Sequence, residues 1–139
     1  MKLPSSIPST SAPAFERNGP RSDFAGPSHV HATFAPDGKG GGNLKVEYTG
    51  PLNGYDPIWV RLGERREGTD WLQMRDVLMR RDGERTVAEV VLEPGAPIDG
   101  ATFAFYTVVG RAGQEIWDNA GKPYGCYVLD TKTGKVTAR

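Results

Sequence analysis

Ile58-Trp59-Val60-Arg61-Leu62-Gly63 alternates small apolar side chains with an indole and a guanidinium. Successive side chains of a strand point to opposite faces, so Ile58, Val60 and Leu62 are expected to enter a core and Trp59 and Arg61 to face away from it. The same period recurs upstream, where Leu44, Val46 and Tyr48 alternate with Lys45 and Glu47 and where His29 to Phe34 forms an earlier candidate strand. Downstream, Ala88, Val90 and Leu92 alternate with Glu89, Val91 and Glu93. Phe103 and Phe105 then share a face, Tyr106 takes the other, and Tyr124 to Leu129 is the last clear strand. Turn-forming clusters separate these runs: Pro36-Asp37-Gly38, with the glycines to Gly42, then Gly50-Pro51-Leu52-Asn53-Gly54 and Pro94-Gly95. Residues 64–82 have no clean period, and Gly63, Gly68 and Gly83 punctuate them; the expectation is a long loop with a short strand near Val77 to Met79. Short strands with no helical pattern of roughly 10–15 residues between them predict an all-β, immunoglobulin-like antiparallel β-sandwich.

Residues 1–27 are rich in Pro, Ser, Ala and Gly, and Ile7, Phe15 and Phe24 fall without a period. Such a segment buries too little surface to offset its ordering entropy, so it reads as a disordered tail before a domain at 28–139. Within 139 residues, 17 basic and 17 acidic side chains cancel. A nucleic-acid partner requires a basic surface, and an anionic membrane surface attracts one, so both are disfavoured. No stretch is long and apolar enough for a membrane span or a signal peptide. Cys126 is the single cysteine and has no intrachain partner. Together these give the expectation of a cytoplasmic protein.

The tryptophans carry the functional signal. Trp59 is an outward strand position, Trp71 follows the polar run Glu67-Gly68-Thr69-Asp70, and Trp117 opens the polar turn Trp117-Asp118-Asn119-Ala120-Gly121. Tryptophan is highly buried on average, so each has an ordinary role as a core residue or a cap on the sandwich. An exposed indole, in contrast, suits the apolar C–H face of a pyranose ring, whose hydroxyls then need planar donors and acceptors such as Asp118, Asn119 and Arg61.

In the order of these elements the chain resembles a starch-binding carbohydrate-binding module of family 25, with related patterns in families 53 and 21. The resemblance spans roughly residues 43–130 and rests on Ile58-Trp59-Val60-Arg61-Leu62-Gly63, Trp71, Met74 or Met79, Val90-Val91-Leu92-Glu93-Pro94, Thr102-Phe103-Ala104-Phe105, and Trp117-Asp118-Asn119-Ala120-Gly121 followed by Tyr124. It implies reversible, non-catalytic binding of an α-glucan such as starch, glycogen or a maltooligosaccharide. Trp71 and Trp117 would be the stacking platforms and Asn119 would read hydroxyls. Asp118 would do the same or hold the turn through an Asx-type bond, and Tyr124 would touch sugar or pack beneath the turn. Two positions depart from the family pattern: Ala120 replaces its second Asn, and Arg61 stands near a position where it often has His. No cofactor is implied. The chain's use would be to target a partner, such as a carbohydrate-active enzyme, to polysaccharide.

Catalytic and metal readings are weaker. His29 and His31 share a strand face, but no third ligand completes a site. Glu64, Glu67, Asp70 and Asp76 lie among Arg65, Arg66, Arg75, Arg80 and Arg81, which favours a salt-linked surface over a glycosidase pair. Gly38 to Gly42 lacks the Gly-Lys-Ser/Thr order of a phosphate loop, and Cys126 has no activating His. The alternative to sugar binding is a protein-interaction sandwich with Trp59, Arg61 and Tyr106 as its patch.

Overall fold

In a computed structural model of the protein, the described residues are 23–70 and 72–139. Among the described residues the strands are β1 (His29–Pro36), β2 (Gly42–Thr49), β3 (Trp59–Arg66), β4 (Gln73–Leu78), β5 (Arg80–Asp82), β6 (Arg85–Leu92), β7 (Ile98–Val109), β8 (Gln114–Asp118), β9 (Tyr127–Asp130) and β10 (Val136–Ala138). They form two antiparallel sheets packed face to face. The four-stranded sheet runs β1-β2-β6-β5; the six-stranded sheet runs β10-β9-β7-β3-β4, with β8 also on β7. The long strand β7 serves two partners along one edge. Phe103 lies opposite Tyr127 of β9, and Tyr106 lies opposite Trp117 of β8. Between those partners the chain leaves the sheet and makes the 119–126 turn.

The expected alternation holds where the sheets meet. Leu44, Val46 and Tyr48 pack against Val60, Leu62, Phe103, Phe105, Tyr127 and Leu129, all buried. Slipping β3 by one residue would drive Trp59 and Arg61 into this core and expose Val60 and Leu62, a loss of roughly 1.5–3 kcal/mol for each apolar side chain.

Three expectations are corrected. Residues 64–82 are mostly strand: β3 continues to Arg66, and β4 pairs with it from Trp59↔Leu78 to Glu64↔Gln73. Polar groups on both faces of this edge strand hide its period. Arg75 turns one way to the buried Glu64, and Asp76 turns the other way to Arg61. Gly63 lies inside β3 and does not end it; a Cβ there would stand 2.6 Å from Thr102 Oγ1 and 2.8 Å from Met74 Sδ, so the close approach has room only for glycine. After Met79, whose amide donates to the Ile58 carbonyl at 2.9 Å, the chain crosses to the other sheet as β5.

The second correction concerns the tail. Phe24 packs against the core, and the Trp117 amide donates to the Asp23 carboxylate at 2.8 Å. Residues 23–27 therefore belong to the folded unit, which does not begin at Ser28; residues 1–22 lie outside those described. The third is the last strand, which starts at Tyr127 and is joined by β10. Tyr124 instead sits in the turn with φ of 59°. Among the described residues, no helix is long and apolar enough to cross a membrane.

The outer faces of the two sheets differ in chemistry. On the four-stranded sheet, Arg80 pairs with Glu89 and Arg85 with Glu47, each at 2.6 Å, and Lys45 also reaches Glu47. Val87 is fully buried at an outward register position opposite Glu47, as expected where the alkyl stems of long charged side chains cover apolar surface. The outer face of the six-stranded sheet is aromatic.

Candidate functional site

Pairing places Leu78, Trp59, Tyr106 and Trp117 in one row across β4, β3, β7 and β8. Three of the four are aromatic, and each ring meets the next. Trp59 and Tyr106 have centroids 6.4 Å apart at an interplanar angle of 15°, and Tyr106 and Trp117 lie 4.5 Å apart at 28°. One row along, Arg61 stands opposite Ala104 on one side and Asp76 on the other. The small Ala104 leaves room for the guanidinium to lean over the rings. Its carbon is 5.4 Å from the Tyr106 centroid and 5.0 Å from that of Trp117, within cation–π range.

The Asp76 carboxylate organises this group. Arg61 Nε donates to Oδ1 at 2.7 Å and a terminal nitrogen donates to Oδ2 at 2.8 Å, the forked pairing that only arginine makes. The Tyr106 hydroxyl also donates to Oδ2 at 2.8 Å. Burial, followed by the Asp76 charge and hydrogen bond, raises the Tyr106 phenol well above the usual range. Trp117 Nε1 donates to Glu115 at 3.0 Å. Leu78 and Val108 are the exposed apolar groups on this face, and Trp59 is half-buried.

Trp59 and Arg61 thus occupy the outward face assigned to them, together with Tyr106. Trp117 is corrected: it is 2 % exposed, with Tyr106 beside it and Arg61 over it, so it presents no open ring to solvent. Asp118 and Asn119 are buried too, and a group closed to solvent cannot read a hydroxyl as it stands. Asp118 is a structural anchor. It accepts from Ser28 Oγ and the Tyr48 hydroxyl, each at 2.5 Å, and from the Tyr127 hydroxyl at 2.8 Å. The Ala120 amide, 3.4 Å from Oδ1, adds the Asx-type contact within the turn. Tyr124 is exposed at that turn, away from the aromatic row in sequence and register. Trp71 lies outside the described residues.

Sequence reasoning did not anticipate the Arg61–Asp76 pair or Glu115. Asp76 was legible as a carboxylate among arginines, but its partner depends on the β3–β4 register. Glu64, another of those carboxylates, is buried between Arg66 and Arg75, and Arg66 also donates to the carbonyls of Glu93 and Ala96 at 2.7 and 2.8 Å. This cluster ties the end of the sandwich together. His29 and His31 are exposed on the edge strand β1. Among the described residues, no group of three or more His, Cys, Asp or Glu side chains is placed to hold a metal.

No protein-family model, curated protein or solved structure matches the chain.

Proposed function

We propose that this domain binds an α-glucan without catalysis, on the outer face of the six-stranded sheet, and so brings a partner such as a carbohydrate-active enzyme to polysaccharide. The observation that carries the reading is the half-buried Trp59, stacked on Tyr106 beside the forked Arg61–Asp76 pair. A half-buried indole lying nearly parallel to a second ring is a rigid apolar shelf for a pyranose. The sequence resemblance to starch-binding modules points to the same ligand class and adds Trp71 as a second platform. The opposite face of the sandwich is salt-linked, which leaves the aromatic face as the one suited to a sugar.

The test is retention of the purified protein on insoluble starch, with Trp59→Ala and Trp71→Ala beside it and circular dichroism to show that each variant is folded. Retention of the parent with loss in the folded variants supports the reading. A folded parent that stays in solution, and whose fluorescence soluble glycogen leaves unchanged, rejects it. The second reading is a protein partner, favoured by exposed Leu78 and Val108 on the same face.

A further inference from the structure

We infer that Arg61 is a gate over Trp117: its forked bond to Asp76 holds the guanidinium across the indole, and a ligand must swing it aside to stack there. The inference rests on the carbohydrate reading for the ligand's identity but not for the gate itself. Three observations carry it. Trp117 is closed to solvent although its register position is on the outward face of the sheet, in the row of Trp59 and Leu78. Arg61 lies over both Trp117 and Tyr106 and is held there by two bonds to one carboxylate, which also takes the Tyr106 hydroxyl. The latch itself is reached by water, with the Arg61 and Asp76 side chains 15 % and 30 % exposed. An ion pair in contact with solvent opens at far lower cost than one in a core, because water replaces the bonds that are broken.

The closed gate makes Trp117 unavailable to a ring in most molecules, and the apparent affinity is the intrinsic one multiplied by the fraction that is open. Opening it adds a second indole to the Trp59 shelf, with Tyr106 between them. Arg61 is therefore a positioning residue that sets affinity through another side chain.

Incorporation of 5-fluorotryptophan gives one fluorine resonance for each of the three tryptophans, assigned by Trp59→Phe and Trp71→Phe. The change in shift between H2O and D2O reads the exposure of each ring. In the parent the Trp117 resonance is expected to be insensitive to D2O. It is expected to become sensitive in Arg61→Ala and, in part, in Asp76→Asn, which keeps the shape of the latch and removes its charge. Glycogen should bind Arg61→Ala about tenfold more tightly than the parent, the combined scale of a partly exposed ion pair and a cation–π contact. A Trp117 resonance that stays insensitive in both folded variants overturns the gate, whatever glycogen does. Weaker glycogen binding by Arg61→Ala, with Trp117 opened, also overturns it and makes Arg61 a direct ligand contact. If Trp117 opens but neither glycogen nor maltoheptaose moves any resonance in either protein, the cover stands and the carbohydrate reading fails.

Discussion

Asp118 and Tyr48 meet across the sandwich: the phenol of β2, in the four-stranded sheet, donates to the carboxylate at the end of β8, in the six-stranded sheet, at 2.5 Å. Tyr127 and Ser28 donate to the same carboxylate. A buried ion is tolerated when its lone pairs are satisfied, and here the donors come from both sheets and from the segment entering β1. The anchor lies beneath the turn that follows Trp117, so it fixes the end of the aromatic row.

Removing the acceptor leaves Tyr48 and Tyr127 buried without their common partner. Asp118→Ala is expected to cost ~3–5 kcal/mol and Tyr48→Phe ~1–2 kcal/mol, read from urea unfolding. Equal and small losses in both variants would mean that the carboxylate is not the hub.

The same tyrosines set the alkaline limit of stability. Burial first, and then the Asp118 charge, pushes Tyr127 up to about 12; Tyr48 and Tyr106 are raised by burial together with Asp118 and Asp76 respectively. A group raised above its unfolded value of about 10 contributes its full stability below that pH and loses it as pH climbs toward the folded value. Stability should therefore be flat below pH 10 as far as these phenols are concerned, and fall between about 10 and 12. Absorbance at 295 nm should show their ionisation arriving together with the loss of tertiary structure. Ionisation of all five tyrosines in a still-folded protein would contradict this.

Gly121 and Gly134 separate backbone strain from crowding. Both have positive φ, 83° and 75°, but a Cβ on Gly121 would lie 2.4 Å from the Ala25 carbonyl oxygen, whereas nothing stands within 4 Å of one on Gly134. Gly134→Ala should cost about 1 kcal/mol, the penalty of the left-handed conformation alone. Gly121→Ala should cost well over 2 kcal/mol, because the strap at 23–27 must also move. Similar melting temperatures for the two variants would show that the strap does not press on the turn.

Binding should map to one face. Trp59→Ala is expected to lower starch retention about tenfold, close to 1.4 kcal/mol. Val91, 70 % exposed on the opposite sheet, is the control, and Val91→Asp should leave both retention and stability within about 0.5 kcal/mol of the parent. Equal losses in the two variants would place the ligand elsewhere.

The strands around Leu44–Tyr48, Ile58–Leu62, Ala88–Leu92 and Phe103–Tyr106 were legible because each has one face in the core, which imprints a period of two on the sequence. Of β4 only the end near Val77 was legible, because an edge strand with arginine on one face and aspartate on the other carries no such imprint. Trp59, Arg61 and Tyr106 could be assigned to the outward face for the same reason that their neighbours could be assigned inward. Trp117 could not be read from its polar turn, since the rings and charges that meet it include Tyr106 and Arg61, more than ten and more than fifty positions away in the chain.

By itself, the sequence determined the fold class and which side chains of the regular strands face the core, because both follow from local alternation of burial. Tertiary structure alone decided that β8 and β9 share one edge of β7, that Asp118 joins the two sheets through Tyr48 and Tyr127, and that Arg61 rests on Trp117 while paired to Asp76. These are meetings between distant strands, and they depend on register and on the small Ala104 beneath the guanidinium, which no local pattern encodes.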